Sequence, residues 1–175
     1  MLRHLACVVA LLLASASPAP ARVVEAPTVV IVVRHAEKAA VGGDDPPLSE
    51  AGQKRAQRLA ELAAPAGVSV IYTTQFKRTR DTAQPLAERL KLTPQTIELT
   101  RETIGGHPAA LADEIKTKHK GKTVLVVGHS NTAPRVAGAL TGQTIPDLND
   151  ATEFDAVFVV IIPDAGPPRL VRAKY

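Results

Sequence analysis

The sequence predicts an α/β protein: a three-layer α/β/α sandwich with a mostly parallel central sheet and some antiparallel pairing near the C-terminus. Three observations predict it. Short β-branched apolar runs alternate along the chain with longer segments of helical period. Apolar residues make up 45% of the 175 residues but aromatics only 3%. The core must therefore be built from Val, Ile, Leu and Ala, as in parallel sheets covered by helices. Finally, the turn Pro163-Asp164-Ala165-Gly166-Pro167 joins two strand-like runs into a hairpin, which requires antiparallel partners.

The elements follow in order. Thr28-Val29-Val30-Ile31-Val32-Val33 is wholly β-branched and reads as a buried strand. Val41–Pro47 is dense in turn residues; its Asp44–Pro47 part reads as a solvated turn, with the pocket rim as the alternative. Ser49 can cap a helix running to about Ala64, whose Ala56, Leu59, Ala60 and Ala63 share one face. Val68–Tyr72 is a short strand. Arg78–Leu90 is a helix with a kink expected at Pro85. Gln95–Leu99 reads as a strand, Ala109–Lys118 as a helix and Thr123–Val127 as a strong strand. Asn131–Leu140 is helical, with Pro134 tolerated in its first turn. Asp155–Ile162 and Arg169–Ala173 complete the chain as strands.

Residues 1–21 stand apart. Arg3 and His4 give a basic start, Leu5–Leu13 an apolar run too short to span a membrane, and Ala19-Pro20-Ala21 a small-residue cleavage pattern. This reads as a secretory signal peptide, with a cut after Ala16 as the alternative site and an uncleaved anchor as the alternative reading, and residues 22–175 form one domain. Export to the periplasm or medium follows as an expectation. The only cysteine, Cys7, leaves with the signal, so no disulfide is expected in the mature chain.

The net charge of +4 falls by one when Arg3 is removed. With no run of Lys or Arg and few aromatics to stack bases, nucleic acid is a poor partner. A few cations gathered in one pocket would still attract a phosphate.

Three segments place polar residues just after apolar strands: Arg34-His35-Ala36-Glu37-Lys38, the stretch Thr73–Ala83 around Arg78, and Gly128-His129-Ser130-Asn131-Thr132. In open α/β sheets, ligands bind outside the carboxyl ends of the strands, so the three would converge at one sheet edge. An arginine beside a histidine there joins a fixed cation to a nitrogen nucleophile, which suits phosphoryl transfer.

On these residues the chain resembles the histidine phosphatase superfamily, the phosphoglycerate-mutase-like fold. Arg34-His35-Ala36 matches the family's Arg-His-Gly opening, with alanine in place of the glycine. Arg78-Thr79-Arg80-Asp81-Thr82-Ala83 matches its Arg-Ala/Thr-x-x-Thr-Ala helix start. Gly128-His129-Ser130 matches its second histidine turn, and Leu48-Ser49-Glu50-Ala51-Gly52 its Leu-Ser/Thr-x-x-Gly helix start. The resemblance implies a small histidine phosphatase, exported here, acting on a small phosphorylated substrate.

Residue chemistry agrees. A neutral imidazole is a competent nucleophile near pH 7, and His35 is assigned that role. Arg34 and Arg78 are rigid charged forks for the equatorial oxygens. His129, if protonated, adds a donor, and Ser130 in the same turn joins the phosphate-binding set. Family members usually place a carboxylate acid in a Glu-x-x-x-Gly setting. Glu102-Thr103-Ile104-Gly105-Gly106 fits, with Glu98 as competitor. Arg80, His107 and His119 read as surface groups, and Lys38 as solvated. Ala36 is expected to put a methyl near the phosphate. No helical His-x-x-x-His spacing occurs, so no metal or other cofactor is expected.

The function expected is phosphomonoester hydrolysis through a phosphohistidine on His35. A phosphohistidine-protein phosphatase and a catalytically inert phosphate-binding domain are the alternatives. Export makes the first prediction: N-terminal sequencing of protein from the periplasm or medium should begin near Arg22. A cytosolic protein retaining Met1 would refute it.

Overall fold

Side chains of a strand alternate between its two faces, and that alternation divides this core in two. The computed structural model describes residues 25–175; residues 1–21, expected from the sequence to be a signal peptide, and Cys7 within them lie outside the described residues. The elements are β1 (Thr28–Arg34), α1 (Glu50–Ala63), a 3₁₀ turn (Ala64–Ala66), β2 (Val68–Thr74) and α2 (Lys77–Leu90). They continue with β3 (Gln95–Ile97), α3 (His107–Lys118), β4 (Thr123–Gly128), α4 (Thr132–Thr141), β5 (Ala156–Ile162) and β6 (Arg169–Lys174). Val30, Val32, Val124 and Val126 pack with Leu111 and Ile115 of α3 and Val136 and Leu140 of α4. Ile31, Val33, Leu125 and Val127 pack on the opposite face with Leu59 of α1 and Leu86 of α2. Two helices on each face of one sheet make the expected three layers.

The six strands lie in the order β3-β2-β4-β1-β5-β6. β3, β2, β4 and β1 pair in parallel. β5 is antiparallel to β1 and to β6, so the antiparallel part reaches the centre of the sheet as well as the C-terminal hairpin. The strands run further than the apolar pattern alone indicates. β2 continues through Thr73 and Thr74, both buried. β3 stops at Ile97, and Leu99 is buried without belonging to it. α3 starts at His107, with Pro108 in its first turn, where a missing N–H costs nothing. α2 passes through Pro85 and continues to Leu90.

The Leu48–Gly52 motif earns its residues locally. Leu48 packs with Ala36 and Ala56 in a small cluster. The Ser49 hydroxyl accepts the Gly52 N–H at 3.1 Å and so caps α1. The Ser49 N–H donates to the Glu37 carbonyl at 2.9 Å, which presses the segment after β1 against the helix start. A Cβ on Gly52 would collide with that same carbonyl oxygen. Gly52→Ala should therefore lower stability by about 1–3 kcal/mol, read as a lower urea midpoint at unchanged slope. An unchanged midpoint would show that the approach is not constrained.

Candidate active site

Register builds the centre of the site. Arg34, the last residue of β1, pairs with Gly128, the last residue of β4. The His35 N–H extends the ladder to the Gly128 carbonyl at 2.9 Å. His35 and His129 thus leave adjacent strands side by side, with ring centroids 5.4 Å apart. Gly128 is required: a Cβ there would lie 2.8 Å from the Thr132 hydroxyl oxygen, which accepts the His129 N–H at 2.9 Å. Thr74, at the end of β2, meets His129 Nε2 at 3.1 Å.

His35 Nδ1 lies 2.8 Å from the Ala36 carbonyl. A carbonyl only accepts, so Nδ1 carries the proton and the Nε2 lone pair is free. Burial pushes His35 down to about 4, aided by the charges of Arg34, Arg78 and Lys38 and opposed by the Ala36 carbonyl. Burial, then His35 and the two arginines, push His129 down to about 3. Both rings are uncharged at pH 7. The cationic donor expected of His129 is thus absent from the ligand-free site.

The two arginines differ. Arg34 is fully buried, and its fork is taken up by the protein itself. Nη1 donates to the carbonyls of Asn149 at 3.0 Å and Glu153 at 3.3 Å. Nη2 donates to the Asp150 carbonyl at 2.8 Å and to Asp150 Oδ1 at 2.6 Å. The guanidinium lies 3.9 Å from the Phe154 ring centroid. Only its Nε is buried without a partner. Arg78 lines the pocket, with its guanidinium 4.2 Å from the Phe76 ring centroid and 3.6 Å from Asp45 Oδ1. Its Nε is also buried and unpartnered.

Asp45 gives the 41–47 loop a part in the site: its carboxylate accepts the Lys77 N–H at 2.9 Å, capping α2 where Phe76 offers no side-chain cap. Thr82 explains the Arg-x-x-x-Thr spacing. Its hydroxyl donates to the Arg78 carbonyl at 2.6 Å and accepts the Ala36 N–H at 2.9 Å, tying α2 to the turn that carries His35.

Of these groups His35, Phe76, Arg78 and His129 border a pocket of about 410 Å³, which Lys38, Leu99, Thr100, Arg101, Ile104, Ser130 and Asp150 also line, while Arg34 lies buried behind it. Glu102 is not among the lining residues. Residues 101–106 form turns, in which the Ile104 N–H donates to the Thr100 carbonyl at 3.0 Å. Side chains three or four apart share a face, so Thr100, Arg101 and Ile104 border the pocket and Glu102 stands off that face, exposed. The Thr100 hydroxyl holds its carboxyl below the usual carboxylate range. Glu98 is exposed too and lines no part of the pocket. Ser130 lines it, but with its hydroxyl engaged by Asp150.

Three further expectations are corrected. The Ala36 methyl packs into the Leu48 and Ala56 cluster and not against a phosphate. His119 is buried, with Nε2 2.8 Å from the Tyr72 hydroxyl. His107 is half-buried, and burial lowers its pKa. The sequence reading missed Asp150, Asp45 and Phe76. No short motif marks Asp150, which reaches the site from the irregular segment after α4.

The titration of the pair is checkable. Both folded values lie below the ordinary imidazole value near 6.5, so the unfolded chain binds these protons first. Their contribution to stability is complete above about pH 6.5 and is lost as pH falls from there toward about 4 for His35 and about 3 for His129. NMR of the His35 ring should show one proton taken up near pH 4. A midpoint near 6.5 would contradict the burial.

Residues 30–108 match the histidine phosphatase superfamily (branch 1). No curated protein matches the chain. Among solved structures, the fold is similar to that of the protein histidine phosphatase SixA complexed with tungstate, at TM-score 0.62 and 19% identity over 83% of this chain and 96% of that one. It is also similar to phosphoserine phosphatase from Entamoeba histolytica in complex with 3-phosphoglyceric acid, at TM-score 0.63 and 16% identity over 85% and 97%. A putative phosphohistidine phosphatase SixA from Agrobacterium tumefaciens matches at TM-score 0.57 and 23% identity over 85% and 99%. The likeness to the histidine phosphatase superfamily thus lies in the sequence of residues 30–108, and the likeness to the solved structures lies in the fold.

Proposed function

We propose that this protein is a phosphatase that hydrolyses small phosphomonoesters through a phosphohistidine on His35. One observation carries the reading. A buried, uncharged imidazole with its Nδ1 proton held by the Ala36 carbonyl is flanked by two arginines, each with a buried Nε lacking a partner. A buried donor without an acceptor is costly, and a phosphate oxygen is an acceptor of the right charge for both.

In the first step the Nε2 lone pair attacks phosphorus. The bond from phosphorus to the leaving oxygen breaks, and that oxygen keeps the electron pair. Arg78 and the Nε of Arg34 stabilise the equatorial oxygens, a task that arginine performs without any metal. In the second step water attacks phosphorus and releases one proton to solvent, the P–N bond breaks and its electron pair returns to Nε2. His129, neutral in the free site, is drawn toward its protonated form by an arriving phosphate dianion. Export of the mature chain from residue 22 is part of this proposal, and so is independence from metal.

Protein quenched during turnover should carry an acid-labile, base-stable phosphoryl group on His35. His35→Ala should lose roughly a thousandfold or more of the activity. The unmutated protein should turn over equally in EDTA. A label on serine or aspartate would sink the mechanism, and full dependence on an added divalent cation would sink its metal-independent form. Phosphate binding with no turnover of any phosphate ester or phosphoramidate would favour an inert binding domain.

A further inference from the structure

Asp150 is the one carboxyl-bearing side chain among the described residues that line the pocket. A carboxylate beside a phosphate site is repelled by its ligand, so its presence needs a reason. Pairing with Arg34 engages one of its two oxygens. That guanidinium is already gripped by the carbonyls of Asn149, Asp150 and Glu153 and stacked on Phe154. The Asp150 side chain remains 70% exposed while Arg34 is fully buried. Oδ1 accepts from Arg34 Nη2 at 2.6 Å. A carboxylate has about four lone-pair sites, which leaves acceptor capacity open toward the pocket. The Ser130 hydroxyl, then the Arg34 guanidinium, hold this carboxyl below the usual range against the opposing effect of partial burial. It is therefore ionised at neutral pH.

Resting on the phosphohistidine mechanism above, we propose that Asp150 is the catalytic base that takes the proton from the water attacking the phosphohistidine. The water oxygen forms its bond to phosphorus as one water proton passes to an Asp150 carboxylate oxygen. The P–N bond to His35 breaks, and its electron pair returns to Nε2. Inorganic phosphate leaves, and Asp150 releases its proton to solvent. With Asp150 ionised at rest and Glu102 outside the pocket, no carboxylic acid awaits the leaving group in the first step. Leaving groups that depart without a proton, such as phenolates, are therefore the ones served best.

Rapid mixing of Asp150→Asn with p-nitrophenyl phosphate separates the two steps. Expected is a burst of p-nitrophenol stoichiometric with active sites, at the rate of the unmutated protein. A steady state slowed by roughly a hundredfold should follow, with phosphate accumulating on His35. In Asp150→Ala, added formate should restore the second step alone, which a purely structural role would not allow. An unchanged steady state would overturn the proposal. So would equal slowing of both steps, which would reduce the carboxylate to a brace for Arg34. The same quench reports the unmutated protein. No label on its His35 would overturn the phosphohistidine mechanism itself, whereas a labelled His35 with no burst in Asp150→Asn would overturn only the role of Asp150.

Discussion

A guanidinium buried at the end of a central strand organises this molecule. Arg34 closes β1 with no exposed surface, and a charge so placed must be satisfied or it unfolds the region around it. Three backbone carbonyls and one carboxylate from residues 149–153 meet its terminal nitrogens. The irregular stretch between α4 and β5 is thereby pulled over the sheet edge, and Phe154 closes on the flat face of the same group. The position of Asp150 beside the histidines follows from that demand.

Around it, the chemistry rests on keeping two imidazoles neutral among cations. Burial and the positive charges act in the same direction on His35 and His129. The cost is offset by tethers that run between elements: Thr82 to the Ala36 N–H, Thr74 to His129, and Thr132 to the His129 N–H. Each is a threonine at the end of a strand or in the first turns of a helix. Their short, stiff side chains have few rotamers to lose. The aromatic rings serve the cations similarly, with Phe76 under Arg78 and Phe154 under Arg34.

The sheet, its helices and the pairing of His35 with His129 could be read from the sequence because each rests on a local signal: an apolar run, a cap, a residue at a strand end. The Arg78 helix start was legible for the same reason, since Thr82 lies one turn on. What was not legible depends on distant chain segments meeting. Asp150 lies 116 positions from Arg34 in a stretch with no period. Glu102 matched a spacing, but a spacing does not say which face of a turn borders a pocket. Ala36 looked like a methyl at the phosphate because the motif has a glycine there, and only the approach of Leu48 and Ala56 shows where the methyl goes. The proposed phosphate fork of Arg34 was spent on carbonyls that no sequence pattern announces.

The sheet also ends in two different ways, and this bears on how the molecule behaves when crowded. An open strand edge is a template on which a second chain can grow. β3 presents only Gln95–Ile97, too short a rail for lasting pairing. β6 is longer and largely exposed, but Arg169, Arg172 and Lys174 are spaced along it. Two such edges brought together would set cation against cation. One flank of the molecule is thus guarded by brevity and the other by charge, and the sheet stops at six strands.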